Sequence, residues 1–138
     1  MKANELMIGD WVLTLDSTHK EKVFTQVDAI EEGKHSILVT KECSNWFVDI
    51  DWIEPITLTP KILEKNGFVL KPDGWLVWYK EGTEQDYIFI QFRKGCDEVR
   101  LVELNFVNKL LAKFRKIQFV HELQHALRLC GLEKEIVL

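Results

Sequence analysis

The sequence predicts an α+β fold, on three observations. Short runs of strand-like residues recur through 10–50 and again through 68–104, separated by turn residues. Residues 59–66 carry the start and stop signals of one short helix. Residues 117–130 have the apolar periodicity of a longer helix. The expected organisation is an acidic N-terminal small SH3-like β-barrel in residues 1–58. Residues 59–138 follow as the short helix, an antiparallel β-meander and a C-terminal amphipathic helix.

The elements follow in order. Asp10–Leu15 comes after Gly9, and Ile8-Gly9-Asp10-Trp11-Val12 is a typical opening for the first strand of a small bent barrel. Val23–Ile30 alternates loosely, and Glu31-Glu32-Gly33-Lys34 makes a turn. Ser36–Thr40 and Trp46–Ile50 are the next two strands. Pro55 ends the run. Thr59 is then an N-cap, Pro60 sits at N1, and Gly67 is placed to stop the helix, with Phe68 able to fold back on it. Phe68–Lys71 leads through Pro72-Asp73-Gly74 into Trp75–Lys80. Turns at Gly82 and at Gly95-Cys96-Asp97 separate this from Tyr87–Arg93 and Val99–Leu104. Residues 105–116 fit either a helix, through Leu110, Leu111, Phe114 and Ile117, or a strand. On the last helix, Phe119, Val120, Leu123, Ala126, Leu127 and Cys130 share a face. His121, His125, Gln118, Gln124 and Arg128 are expected on the opposite, wet side, and Gly131 ends the helix.

Composition narrows the class. With 46% hydrophobic residues and five tryptophans, the chain has material for a core, which excludes a disordered chain. No apolar segment follows Met1 and no run has membrane-spanning length, so a soluble cytoplasmic protein is expected. Cys43, Cys96 and Cys130 form no C-x-x-C pair, and reduced buried thiols are expected. The net charge of −4 is asymmetric: residues 1–58 hold five Lys against eleven Asp or Glu. Residues 59–138 hold thirteen basic and eleven acidic groups. Lys109, Lys113, Arg115, Lys116 and Arg128 face only Glu122 between positions 105 and 128, a patch that could meet phosphate.

One stretch has a ready-made chemical meaning. His121-Glu122-Leu123-Gln124-His125 spells H-E-x-x-H, in which two imidazoles one turn apart hold Zn²⁺ and the glutamate acts as general base. The context argues against that chemistry. Arg128 lies on the same stripe, where a guanidinium repels a divalent cation. The extended motif needs Gly at 128 and His at 131, where this chain has Arg128 and Gly131. Downstream, Glu133 and Glu135 are the acidic candidates for a third ligand, and His19, His35 or Asp97 are the upstream ones. The motif is therefore expected to be a chance match, with no catalytic, metal or cofactor residue assigned.

Two other groups stand out. Asp49, Asp51 and Glu54 lie near Trp46 and Trp52, a pairing that serves sugar chemistry in some proteins and strand-edge protection in many. Trp75, Trp78, Tyr79, Tyr87 and Phe89 suit either an aromatic platform or cross-strand packing.

Three stretches together resemble a family. They are Glu5-Leu6-Met7-Ile8-Gly9-Asp10-Trp11-Val12, then Glu54-Pro55-Ile56-Thr57-Leu58-Thr59-Pro60 running on to Asn66-Gly67-Phe68, then Val120-His121-Glu122-Leu123-Gln124. In this order they are similar to a family of small uncharacterised proteins of gut bacteroidete genomes and their phages and mobile elements. The resemblance implies a bacterial cytoplasm and a mobile-element origin, and it brings no functional residue with it. It also implies that Glu122 and His125 are local fillings of a V-H-x-L-Q block.

The functional expectation is a non-enzymatic interaction or accessory module with a protein partner and no membrane association. The first alternative is nucleic-acid binding through the basic patch 109–116. The second is a zinc-dependent hydrolase using His121, Glu122 and His125.

Overall fold

Alternating apolar and polar residues build two antiparallel sheets, and the two helices flank the second of these in the chain. The structure is a computed structural model that describes residues 1–31, 35–80, 86–93, 98–106, 109–114, 117–132 and 134–138. It falls into two compact units, Met1–Ile56 and Thr57–Leu138. The predicted turns at Gly33, Gly82 and Gly95-Cys96-Asp97 lie outside the described residues.

In the first unit, β1 (Trp11–Leu15), β2 (Lys22–Ile30), β3 (Ser36–Lys41) and β4 (Ser44–Asp49) pair in sequence order as an antiparallel sheet. The turn into β1 requires Gly9, whose φ of 86° is left-handed. The carboxylate of the buried Asp10 accepts the Met7 N–H at 2.7 Å. Inward positions Val12, Val27, Ile37, Val39 and Val48 form the core with Leu6, Ile50 and Ile53. A register shift between Val27 and Ala29 marks a bulge, which sharpens the twist. After β4 a 3-10 turn, Ile50–Trp52, returns the chain to β1. There Leu13 and Glu54 exchange both backbone hydrogen bonds at 2.9 Å. Among the described residues this is a four-stranded sheet with one added bridge, and it is not a closed barrel.

The second unit opens with α1 (Pro60–Lys65), where Thr59 Oγ1 accepts the Ile62 N–H at 3.3 Å. Gly67, at φ 84°, ends it, and Phe68 folds back to give its N–H to the Leu63 carbonyl. Five strands follow as an antiparallel meander: β5 (Val69–Leu70), β6 (Trp75–Tyr79), β7 (Tyr87–Phe92), β8 (Val99–Phe106) and β9 (Lys109–Phe114). Of the ambiguous 105–116, the described residues are strand, 105–106 ending β8 and Lys109–Phe114 forming β9, because their pairing from Val102↔Phe114 to Phe106↔Lys109 satisfies the backbone. One sheet face, with Leu76, Ile88, Ile90, Val102 and Leu104, is buried.

The last helix, α2, is Val120–Leu129, shorter at its start than the periodicity of 117–130 predicts. The reason is tertiary: Phe119 is extended and bridges Thr57, while Gln118 is held elsewhere. Its amide accepts the Val99 N–H at 3.1 Å and donates to the Val99 carbonyl at 2.8 Å. Asn66 uses the same device, accepting from Val137 N and donating to Val137 O, both at 2.8 Å. The first amide fixes the segment before α2 to the start of β8, and the second ties the C-terminal segment to the end of α1. Among the described residues, no helix is long and apolar enough to cross a membrane.

Candidate functional site

The H-E-x-x-H segment lies on α2, and the structure corrects the expected facing of its residues. His121 and Gln124 were placed on the wet side, yet they are only 6% and 7% exposed. The first half of α2 is embedded, with the Phe119 ring stacked on His121 at 5.9 Å, and the helix emerges only at Arg128 and Leu129. His125 is half-buried, its ring edge-on to His121 at 5.7 Å. Glu122 has a structural job. Its Oε2 accepts the N–H groups of Gln118 at 2.7 Å and Phe119 at 3.1 Å, capping the helix N-terminus from position N3. A phenylalanine side chain cannot return the bond, so only the glutamate half of a capping box is present. The proposed third ligands His19 and His35 belong to the first unit, while Asp97 and Glu133 lie outside the described residues.

Glu122→Ala should therefore cost roughly 0.5–2 kcal/mol of unfolding free energy, as loss of a helix cap does. A urea titration in which this variant matches the parent would remove the capping role.

A donor trio lies elsewhere. His35 Nε2 is 3.0 Å from Asp51 Oδ2 and 3.4 Å from Asp49 Oδ1, and the three donor atoms lie within 4.8 Å of one another. The backbone assembles them: Ile50 N–H donates to the His35 carbonyl, and Asp49 caps the 3-10 turn through the Asp51 N–H. The hydrogen bond to Asp51, followed by the charges of Asp49 and Asp51, holds the His35 pKa above its ordinary value. A folded-state pKa raised in this way gives a small stabilisation below the ordinary histidine value. That stabilisation is lost as pH rises through the raised one. In an NMR titration the His35 midpoint should lie above the ordinary value and fall in Asp51→Asn; a midpoint indifferent to that change would refute the pairing.

Of the carboxylates expected to act together, Asp49 and Asp51 thus meet His35, whereas Glu54 pairs with Lys22 at 2.6 Å. Trp46 is spent on a hydrogen bond to the Leu15 carbonyl. Asp51, Trp52, Glu54 and Lys22 line a small cavity of about 170 Å³.

The aromatic group divides by register. Trp75 pairs with Gln91, Val77 with Phe89 and Tyr79 with Tyr87, so these six share the face opposite the buried one. Four rings assemble there. Tyr87 and Phe89 are 4.2 Å apart, and Trp75–Phe89 and Tyr79–Phe89 are 6.0 and 6.1 Å apart. Tyr79 is 43% exposed and the other three are half-buried. Trp78 is on the opposite side of β6, where Lys134 sits 5.3 Å above its ring.

Where this row ends, at Gln91, a cleft of about 870 Å³ begins, lined by Pro72, Asp73, Gly74, Gln91, Phe92, Arg93 and Arg100. Arg93 and Arg100 belong to no motif or charge cluster of the sequence. The sequence held no signal that pairs them: the Arg93 N–H bonds the Glu98 carbonyl, and Arg100 falls where the pairing shifts from Phe92↔Val99 to Gln91↔Leu101.

The basic patch is changed as well. Glu103 lies opposite Lys113 in register and pairs with it at 3.2 Å, so Glu122 is not the patch's lone counter-charge. Arg115 and Lys116 are outside the described residues. Of the thiols expected to be buried, Cys43 is exposed. Cys130 is half-buried, its pKa raised by burial, and Cys96 lies outside the described residues.

No protein-family model, curated protein or solved structure matches this chain.

Proposed function

We propose that this chain is a non-enzymatic interaction module of a bacterial cytoplasm, of mobile-element origin, that binds a partner through the aromatic face of its second unit. The observation that carries the reading is the ring cluster of Trp75, Tyr79, Tyr87 and Phe89, with Tyr79 exposed and the other three half-buried, on the sheet face opposite the core. Such rings supply large, stiff contact area at little entropic cost, which is why aromatics concentrate at binding surfaces. The opposite face already buries Leu76, Ile88, Ile90, Val102 and Leu104, so this unit has its core without them.

The first unit is an SH3-like barrel in this proposal. Three features support it: four antiparallel strands in sequence order, a 3-10 turn after the fourth, and the Leu13–Glu54 pairing that begins a fifth strand on the other edge of β1. Small barrels serve as binding modules, which supports the reading by analogy of fold. The bacterial and mobile-element setting rests on the resemblance of the three stretches described above.

A photo-crosslinking residue placed at Tyr79, in the cells that make the protein, tests the binding face. A discrete adduct is expected from Tyr79 and not from Leu129, which is 79% exposed on α2. Equal labelling from both positions, or none from Tyr79, overturns the reading.

A further inference from the structure

We infer that the partner of this face is single-stranded nucleic acid, with bases stacked on the aromatic row and phosphates held at Arg93 and Arg100. The inference rests on the preceding reading of the face as a binding surface and names its occupant.

Two chemistries meet at one place. Single strands are bound without regard to sequence by aromatic side chains on which bases stack, together with cations that follow the backbone. The row supplies the first, with Phe89 at its centre within about 6 Å of three other rings. The cleft supplies the second. Gln91 belongs to both, facing Trp75 in register and lining the cleft, so the arginines lie at the end of the row.

The charge of the cleft fits a phosphate. Among the described residues that line it, Arg93 and Arg100 stand against one carboxylate, Asp73, whose Oδ1 already accepts the Trp75 N–H at 3.2 Å. Arg93 has an ion pair with Glu98 at 3.6 Å, with both side chains at least half exposed. An exposed pair of this kind is weak and exchanges readily. A guanidinium presents planar paired donors that match phosphate oxygens. Beside the row, Glu103 and Lys113 pair with each other, whereas the cleft offers two guanidinium groups to an anion. A duplex offers the rings no unpaired base, so single strands are preferred.

The test uses the whole chain and fluorescently labelled oligothymidylate, oligouridylate and a duplex of the same length, at about 50 mM salt. Anisotropy should rise saturably with a single strand and much less with the duplex. The DNA and RNA arms tell which backbone is preferred. Tyr79→Ser, at the most exposed ring of the row, should weaken binding roughly five- to hundredfold, the range for loss of one stacking contact. Arg100→Ala should weaken it and flatten the logarithmic salt dependence by about 0.7, one phosphate's share on a single strand. No rise with either single strand, equal binding of the duplex, or affinity untouched by both variants would overturn the inference. If the Tyr79 crosslink to a protein persists in that event, only the choice of nucleic acid falls. If the crosslink fails too, the binding face falls with it.

Discussion

Asn66→Leu should lower the unfolding free energy by about 2–4 kcal/mol, the scale of losing several buried hydrogen bonds at once. Asn66 is 5% exposed and its amide makes three hydrogen bonds, to Ile62 O, to Val137 O and from Val137 N, each 2.8 Å. Leucine keeps the volume and removes all three, leaving backbone groups unsatisfied at roughly 1–3 kcal/mol for each that water cannot reach. The Val137 amide should also lose its protection from hydrogen exchange. A variant within about half a kcal/mol of the parent, the range of ordinary surface changes, would show that the clamp does not hold the chain.

The second large effect is expected in α2. Leu123 is fully buried, and Leu123→Ala should cost about 2–5 kcal/mol through lost burial and the cavity left behind. The two histidines of the H-E-x-x-H segment then separate. His121→Ala should be clearly destabilising, because its ring is buried and stacked on Phe119, whereas His125→Ala should cost less. Urea titrations of the three variants give the order directly. Equal, near-neutral values for both histidines would restore the outward-facing helix of the sequence analysis.

That helix shows where reading residues in order succeeds and where it stops. The caps of α1 were legible because Thr59, Pro60 and Gly67 act within one turn of chain. The strands were legible because alternation is local. The burial of His121 was not, because it depends on the extended Phe119 and its bridge to Thr57, which are far apart in sequence. Glu122 was legible as a letter in a motif, but its bond to the Gln118 and Phe119 N–H groups depends on where the helix starts. The candidate face was half legible. The five aromatic residues were singled out together, but only strand register separates Trp78 from the other four and brings Arg93 and Arg100 to the end of their row. His35 meets Asp49 and Asp51 only through the pairing of β3 with β4.

The Asn66 clamp also bears on how the protein ages. Asn66 is followed by Gly67, and an asparagine before glycine deamidates readily when the chain is loose, because little hinders the glycine nitrogen from attacking the amide. In the folded chain that nitrogen donates to the Glu64 carbonyl, and the Asn66 amide is held by Ile62 and Val137. Conversion to aspartate would bring a carboxylate against two carbonyl oxygens in a buried site, a strongly unfavourable arrangement. Folding therefore protects the residue that clamps the C-terminal segment, and a molecule that deamidates there while unfolded returns to a less stable fold.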